Sequence, residues 1–394
     1  MQLPFNRPIE TERRLRARVD YYITKPMGTK QLPEVVRKFL RWTLKSNLAT
    51  KEEEGGETRL KIHKTTKITI FFGIVVGIAS VILLAPTKGF AGGRGPITIG
   101  VEQGPLLALM MIAEDQGFFS KQGVDVTIKY YTTGKLALHG MFAGEVDLAT
   151  PAETTFVFSS FERGDFSIVA TIGSSDNDQV IIARKDRGIR IAEELRGKGI
   201  SASRTAAGHF FLHCFLIKNG LSEKDIKLSF KHPDELIPAL SKGEIDAFSA
   251  MTVFSKKAKT LLGDNIIVFE EPGLYLKTYN LVAFNTFIKD RSQVVKSVLQ
   301  ALTKSEEFAK KYPEHAQRIV SKKTGLTKSE IAGFWPNLRY GVSLEQSLLT
   351  SLENEARWAI RNKLTDRKKI PNYFNFIYLD ALEAVKPKGV TLIR

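Results

Sequence analysis

From Pro96 onward, short apolar runs of strand character alternate with longer stretches whose apolar residues recur at helical spacing, and short turns separate them. This is the habit of an α/β domain with a largely parallel sheet. Strands are expected at Ile97–Val101, Val124–Tyr131 and Val146–Thr150, with helices at Pro105–Gln116 and Lys135–Phe142 between them. Further on, Asn280–Asn285 reads as a strand, and Arg291–Lys311, Thr327–Phe334 and Leu344–Asn362 read as helices. The tail from Tyr373 to Val385 sets Phe374, Phe376, Ile377, Leu379 and Leu382 at helical spacing, which suits a core segment better than a cofactor-binding motif.

One unit recurs. Ala137-Leu138 through Ala143-Gly144-Glu145-Val146-Asp147-Leu148 is echoed by Leu236-Ile237 through Lys242-Gly243-Glu244-Ile245-Asp246-Ala247, 99 residues later by the step from 144 to 243. Each copy is a helix closed by Gly, an acidic turn and a strand, and Gly suits the left-handed position that ends a helix. Two copies at that distance imply two lobes on one plan rather than a solenoid, which needs three or more shorter repeats. The first lobe is expected over 96–178 and the second over 179–270, with the chain returning to the first lobe over 271–394. Two crossovers between lobes imply a hinge.

Ahead of these lobes, Ile68 to Ala85 is a stretch of 18 residues without a charge, stopped by Pro86 and followed by a linker over 86–95. That length just reaches a bilayer-spanning helix, and only Thr69 and Ser80 interrupt its apolar character. Residues 1–67 hold 16 Lys/Arg against 8 Asp/Glu, a net +8, while the other 327 residues hold 42 against 34, also +8. The dense basic bias before the run predicts a cytoplasmic leader, partly disordered, and an exported C-terminal part in the periplasm or outside the cell. An uncleaved signal anchor at 68–85 is favoured over a signal peptide cut after Ala91, because the run is long and the leader far exceeds a usual signal n-region.

Charge then narrows the partners. The formal net charge of +16 has no cluster of Lys/Arg interleaved with aromatics beyond residue 67, and no zinc-finger or RNA-recognition signature appears, so nucleic acid is not an expected partner. The single cysteine, Cys214, rules out an intrachain disulfide and a four-cysteine metal site, and its apolar surroundings predict an inert thiol. His209 and His213 stand four apart on one helical face, half of a zinc signature. With no Glu after His209 and no third ligand in view, no metal is expected and His209 is read as a cleft residue. No nucleophile elbow, phosphate loop or paired-carboxylate pattern occurs, so the chain is not read as an enzyme and no cofactor is expected.

The ordered set Ile97-Thr98-Ile99-Gly100-Val101, Ala113-Glu114-Asp115-Gln116-Gly117-Phe118-Phe119, Gly123-Val124, Gly134 and Ala143-Gly144-Glu145-Val146-Asp147 resembles the first lobe of a known family. Leu195-Arg196-Gly197-Lys198, Ala207-Gly208-His209, Gly220-Leu221 with Asp225, and Gly243-Glu244-Ile245-Asp246-Ala247 resemble its second lobe. The family is that of the periplasmic solute-binding proteins of the nitrate, sulfonate and taurine type, which includes binders of thiamine-pyrimidine precursors. The resemblance runs from about residue 96 to the end. It implies a two-lobed periplasmic-binding-protein fold (type II, venus-flytrap), behind a single N-terminal transmembrane helix in this chain. It also implies a small-molecule ligand in the cleft and, as partners, the permease and ATPase subunits of an ABC importer.

In α/β lobes, ligands sit outside the carboxyl ends of strands, where free backbone N–H groups at helix starts favour anions. The strand ends nominate Glu102 and Gln103, then Thr133 and Gly134, then Glu153 and Thr154, then Ser174 and Ser175. The second lobe nominates Ser203, Arg204, Thr205 and His209 at a helix entry, with Ser249, Met251 and Thr252 after the strand from Asp246. Ser, Thr and Glu at helix starts equally suit capping. Many family members carry an aromatic residue and a proline where this chain has Met251 and Val253, and Glu102 and Glu153 would repel a simple oxyanion. An amine-bearing, zwitterionic or heterocyclic ligand therefore stands beside sulfonate and nitrate. Two alternatives remain: a membrane-tethered sensor or adaptor with output through the leader, and a pyrimidine-forming enzyme of the same fold. The iron-binding cysteine-rich motif of that enzyme is missing here.

Overall fold

The structure is a computed structural model that describes residues 95–393. The leader over 1–67, the apolar run Ile68–Ala85, most of the linker and the proposed cut after Ala91 lie outside the described residues. Among the described residues no helix is long and apolar enough to cross a membrane.

Ten strands form two sheets. They are β1 (Ile97–Glu102), β2 (Val126–Tyr131), β3 (Leu148–Ala149), β4 (Phe166–Ser175), β5 (Gln179–Arg184), β6 (Gly199–Ala202), β7 (Lys227–Phe230), β8 (Ala247–Met251), β9 (Ile266–Glu270) and β10 (Lys277–Phe284). The first sheet has the order β2-β1-β3-β10-β4 and the second β7-β6-β8-β5-β9. In each, the strands before and after the first helices pair in parallel, while the strands that lead into and out of the crossovers pair antiparallel within their own sheet, β4 with β10 in the first and β5 with β9 in the second. The chain passes between sheets twice, through residues 176–178 and through residues 271–276.

The longer helices are α1 (Ala108–Asp115), α2 (Gly134–Phe142), α3 (Glu153–Ser160), α4 (Ala207–Lys218), α5 (Pro233–Lys242), α6 (Val253–Leu262), α7 (Ser292–Lys311), α8 (Pro313–Thr324) and α9 (Gln346–Arg361). Gly243 caps α5 at φ 74° and Gly144 follows α2 at φ 76°, the left-handed geometry that makes glycine the fitting residue in both copies of the repeat. The strand expected over Val146–Thr150 shrinks to Leu148–Ala149; just before it the Asp147 carboxylate accepts from the Thr98 N–H of the first strand at 2.8 Å, where a ladder would use a backbone carbonyl. The helix expected across Tyr373–Val385 is also broken. It becomes a short turn at Tyr373–Phe376 and a helix at Asp380–Val385, since the Tyr378 N–H leaves the helix to bond the Ile168 carbonyl at 2.8 Å beside β4.

One core cluster runs without a break from Ile99 and Phe156 of the first lobe to Phe210 and Phe211 of the second. The bridge lies behind the crossovers. There the Phe210 ring stands 5.3 Å from Tyr275 and 5.1 Å from Trp358 of α9, and His209 stands 4.9 Å from the same Trp358. The other side of the crossovers is left for the cleft.

Candidate functional site

A cavity of about 200 Å³ opens where strand ends of the first and second sheets meet beside the crossover at residues 176–178. Its floor is polar. Glu102, the last residue of β1, is only 8% exposed. The Tyr279 hydroxyl donates to Glu102 Oε1 at 2.6 Å, and the Gly134 N–H at the start of α2 donates to Oε2 at 2.5 Å. A side chain at Gly134 would not fit, since its Cβ would stand 2.9 Å from the Thr150 carbonyl oxygen and 3.1 Å from Glu102 Oε2. Burial raises the Glu102 carboxyl above the ordinary range, against the opposing charge of Lys277 and the two hydrogen bonds.

Next to it Lys277, the first residue of β10, donates to Asp178 Oδ2 at 2.7 Å, and its ammonium lies 4.9 Å from the Tyr279 ring centre. Burial works to neutralise this amine, but the charges of Asp178 and Glu102 outweigh it and hold Lys277 above its ordinary value. Asp178 also accepts from Gln179 Nε2 at 3.0 Å, and its carbonyl accepts from the N–H and the hydroxyl of Thr252, each at 2.9 Å.

The second lobe contributes Met251 at the end of β8, Thr252, and the first turns of α6 through Val253, Phe254 and Lys257. Thr252 has helical backbone angles (φ −51°, ψ −30°) instead of the extended geometry of a capping residue, its hydroxyl makes no cap for α6, and no acidic residue stands in that helix's first turn. The uncapped positive end of the helix is thus turned to the cavity. Asn177 reaches the cavity with a buried Oδ1 that has no hydrogen-bond partner among the described residues.

Of the residues nominated by strand ends, Glu102, Gln103, Met251 and Thr252 line this cavity, and Gly134 supports it through Glu102. The others are placed elsewhere. Thr133 caps α2, accepting from the Leu136 N–H at 3.2 Å. Glu153 is fully buried beneath β10, accepting from the Thr278 N–H at 2.6 Å and from the Tyr275 hydroxyl, which also pairs with Thr154 at 3.2 Å. The Ser174 N–H bonds the Arg339 carbonyl, and the Ser175 hydroxyl donates to the Asn337 carbonyl at 2.8 Å. Ser203 donates to the Lys231 carbonyl at 3.2 Å, and Thr205 takes a left-handed φ of 57°. Arg204 is exposed and covers the Phe230 ring, with its guanidinium carbon 5.3 Å from the ring centre. Ser249 is buried with its hydroxyl unpartnered among the described residues.

His209 departs from the reading as a cleft residue. It is fully buried between Phe230 and Trp358, which close over the face that strand ends alone would leave open. It also has a companion that spacing did not reveal: Glu223 Oε1 lies 3.5 Å from His209 Nε2 and 3.2 Å from His213 Nδ1. Against the cost of desolvation, these two contacts hold the Glu223 carboxyl at about 2. Among the described residues, no group of three His, Cys, Asp or Glu side chains has a metal-holding arrangement. Cys214 is half-buried, and burial pushes its thiol up to about 12.

Sequence reasoning missed Asp178, Lys277, Tyr279 and Lys257. The first two sit at the crossovers, where an ion pair leaves no apolar signal. Lys257 could have been found as the residue one turn into the helix that follows β8.

Two sheets of like order joined by two crossovers, with a cavity between them, define a two-lobed periplasmic-binding-protein fold. The same fold is found in an alkanesulfonate-binding protein from Xanthomonas axonopodis pv. citri bound to MOPS, with a TM-score of 0.63 and 16% identity over 73% of this chain and all of that one. It is found again in a periplasmic nitrate-binding protein from Synechocystis PCC 6803, with a TM-score of 0.57 and 12% identity over 75% of this chain and 90% of that one. Residues 105–316 match the NMT1/THI5-like family, and the chain belongs to that family. A relative from Bacillus subtilis (strain 168) named for aliphatic-sulfonate binding is 24% identical over 308 residues, covering 75% of this chain and 92% of the relative.

Proposed function

We propose that this chain captures one small polar solute between its lobes, in the cavity floored by Glu102 and Lys277, and hands it to a membrane importer. The chain is the solute-binding component of an ABC import system. The observation that carries the cavity assignment is convergence. Strand ends of both sheets, the crossover at residues 176–178 and the uncapped start of α6 meet at one hollow of mixed polar and apolar lining, where α/β lobes bind ligands. A hollow of about 200 Å³ suits a solute smaller than a drug-sized ligand. Sulfonates, nitrate, and amines or nitrogen heterocycles are the classes to test.

Residues 176–178 and 271–276 act as the hinge, and a solute touching both lobes favours the closed form by binding it better. The charge-free run Ile68–Ala85 anchors the chain in the membrane with residues 1–67 on the cytoplasmic side, keeping the lobes near their permease. Solute capture needs no chemistry at Glu102 or Lys277, and the protein acts as a binder rather than an enzyme.

A thermal-shift screen of the full-length protein tests the reading. Solutes of the three classes are added singly, and a true ligand raises the melting temperature in proportion to the logarithm of its concentration above Kd. Failure of every class to stabilise the protein would remove the solute-binding assignment of this cavity.

A further inference from the structure

The lobes touch on both sides of the crossovers, and the two sides are built differently. Behind, Trp358 of α9 packs ring against ring on His209 and Phe210 of the second lobe, and its indole N–H donates to Glu223 Oε1 at 3.5 Å. In front, at the rim of the cavity, Lys256 Nζ of α6 lies 3.1 Å from Glu330 Oε1 of the first lobe. Glu330 lines the cavity, whereas Lys256 stands beside the lining residue Lys257 with its side chain 60% exposed. Glu330 is also fixed by its own lobe. It is the third residue of the short helix Lys328–Phe334 and closes that helix's capping box, its Oε2 accepting from the Thr327 N–H at 2.8 Å and from the Thr327 hydroxyl at 2.7 Å. This leaves Oε1 to Lys256. The bonds from Thr327, followed by the one from Lys256, hold the Glu330 carboxyl at about 2, so the pair stays charged at neutral pH.

Resting on the solute-binding reading above, we propose that Lys256 and Glu330 form a latch across the rim that holds the lobes closed in the absence of solute. The balance between an open form that admits solute and a closed form is then set by a pair that lies apart from the cavity floor. The two residues face each other from opposite lobes at the rim, so any rotation about the crossovers that opens the cavity must part them. Because the cap already orders Glu330, pairing restricts chiefly the Lys256 side chain. An exposed ion pair adds little to the stability of a whole fold. Lobe closure is a more sensitive quantity, because a contact made in only one of two states shifts their ratio by its full contribution. One exposed pair is worth a change of about two- to fivefold in the closed-to-open ratio.

The test reads the distance across the rim in solute-free full-length protein by pulsed electron spin resonance. Spin labels are placed at Thr260→Cys on α6 and Lys322→Cys on α8, both exposed and on opposite lobes, in a Cys214→Ala background. The ratio of short to long distances should fall about two- to fivefold in Lys256→Met and further in Lys256→Glu, while Lys256→Arg keeps the wild-type ratio. Raising sodium chloride to about 1 M should bring wild type to the Lys256→Met distribution and leave Lys256→Met where it stands. Glu330→Gln keeps an acceptor for Thr327 and removes the charge, and adding Lys256→Met to it should change nothing more. A role for Glu330 in touching solute alone would move none of these solute-free distances. Identical distributions in wild type and Lys256→Glu, or a wild type with the long distance alone, would overturn the latch and leave solute binding standing. If the distances shift as expected while every solute class fails in the thermal screen, the latch holds and the solute-binding reading falls.

Discussion

Lys277 and Asp178 face each other across the two segments that join the lobes, Nζ to Oδ2 at 2.7 Å, with side chains only 3% and 12% exposed. The pair ties the start of β10 to the end of the other crossover, and Asp178 extends the tie to Thr252 at the mouth of α6. Removing one partner leaves the other charge buried and unmatched. Lys277→Met should lower stability by roughly 3–5 kcal/mol, whereas Lys277→Met with Asp178→Leu should recover much of that loss. Chemical denaturation of the single and double variants checks this. A single variant within about 0.5 kcal/mol of wild type would mean that the pair is solvated and not a structural tie.

Gly134 tests how tightly the floor is built. A Cβ there would stand 2.9 Å from the Thr150 carbonyl oxygen and 3.0 Å from the Pro151 α carbon while the N–H holds Glu102, so Gly134→Ala must push backbone aside. A loss of about 1–3 kcal/mol is expected. Because Glu102 would be displaced with it, solute affinity should fall together with stability. Unchanged affinity in a folded Gly134→Ala protein would argue that Glu102 does not touch the solute.

Behind β10, Glu355 of α9 is fully buried with both carboxyl oxygens unpartnered among the described residues. Burial, followed by the neighbouring Glu153 carboxylate, holds its pKa well above the ordinary value, while Thr154 and Tyr275 stand on the same side and oppose the rise. The unfolded chain ionises this group near its ordinary value, about 4.3. The fold therefore binds the proton more tightly, and stability falls as pH rises from that value toward the raised one. Glu355→Gln does not titrate, so its melting temperature should gain on wild type between pH 5 and pH 8. A gain of about 1 kcal/mol would read as roughly 1–2 °C in a chain of this size. A difference that stays flat across that range would contradict the buried proton.

Cys214 offers a simpler check. With its thiol pushed up to about 12 by burial on α4, little thiolate exists at pH 8. A thiol-specific reagent should label the native protein at least tenfold more slowly than the denatured protein, and equal rates would show an open site.

Much of the fold was legible because burial writes a period into the sequence. The repeat at Gly144 and Gly243 revealed two lobes, and the alternation of runs located β1, β2, α2, α7 and α9 within a few residues. The site was less legible. Reading β10 from Asn280 cut off Lys277, Thr278 and Tyr279, the part that carries the charge, because buried polar residues at a strand start look like a turn. Glu153, Thr154 and His209 stand near the expected strand ends and helix entry, yet they are sealed by Tyr275 and Trp358, which lie more than a hundred residues away in sequence. Local spacing can place a residue at a strand end. It cannot say which distant ring will close over it.

The account rests on one solute held inside the cavity between the lobes, and filling that cavity tests it most directly. Met251→Trp adds bulk at the lining without touching the Lys277–Asp178 pair or the Glu102 hydrogen bonds. The measurement is calorimetric titration of full-length wild type and variant with a solute that stabilises wild type in the thermal screen. The account predicts one site per chain in wild type and a loss of at least tenfold in the variant, with the unliganded melting temperature little changed. Binding of equal strength in the filled variant would place the solute elsewhere and contradict it.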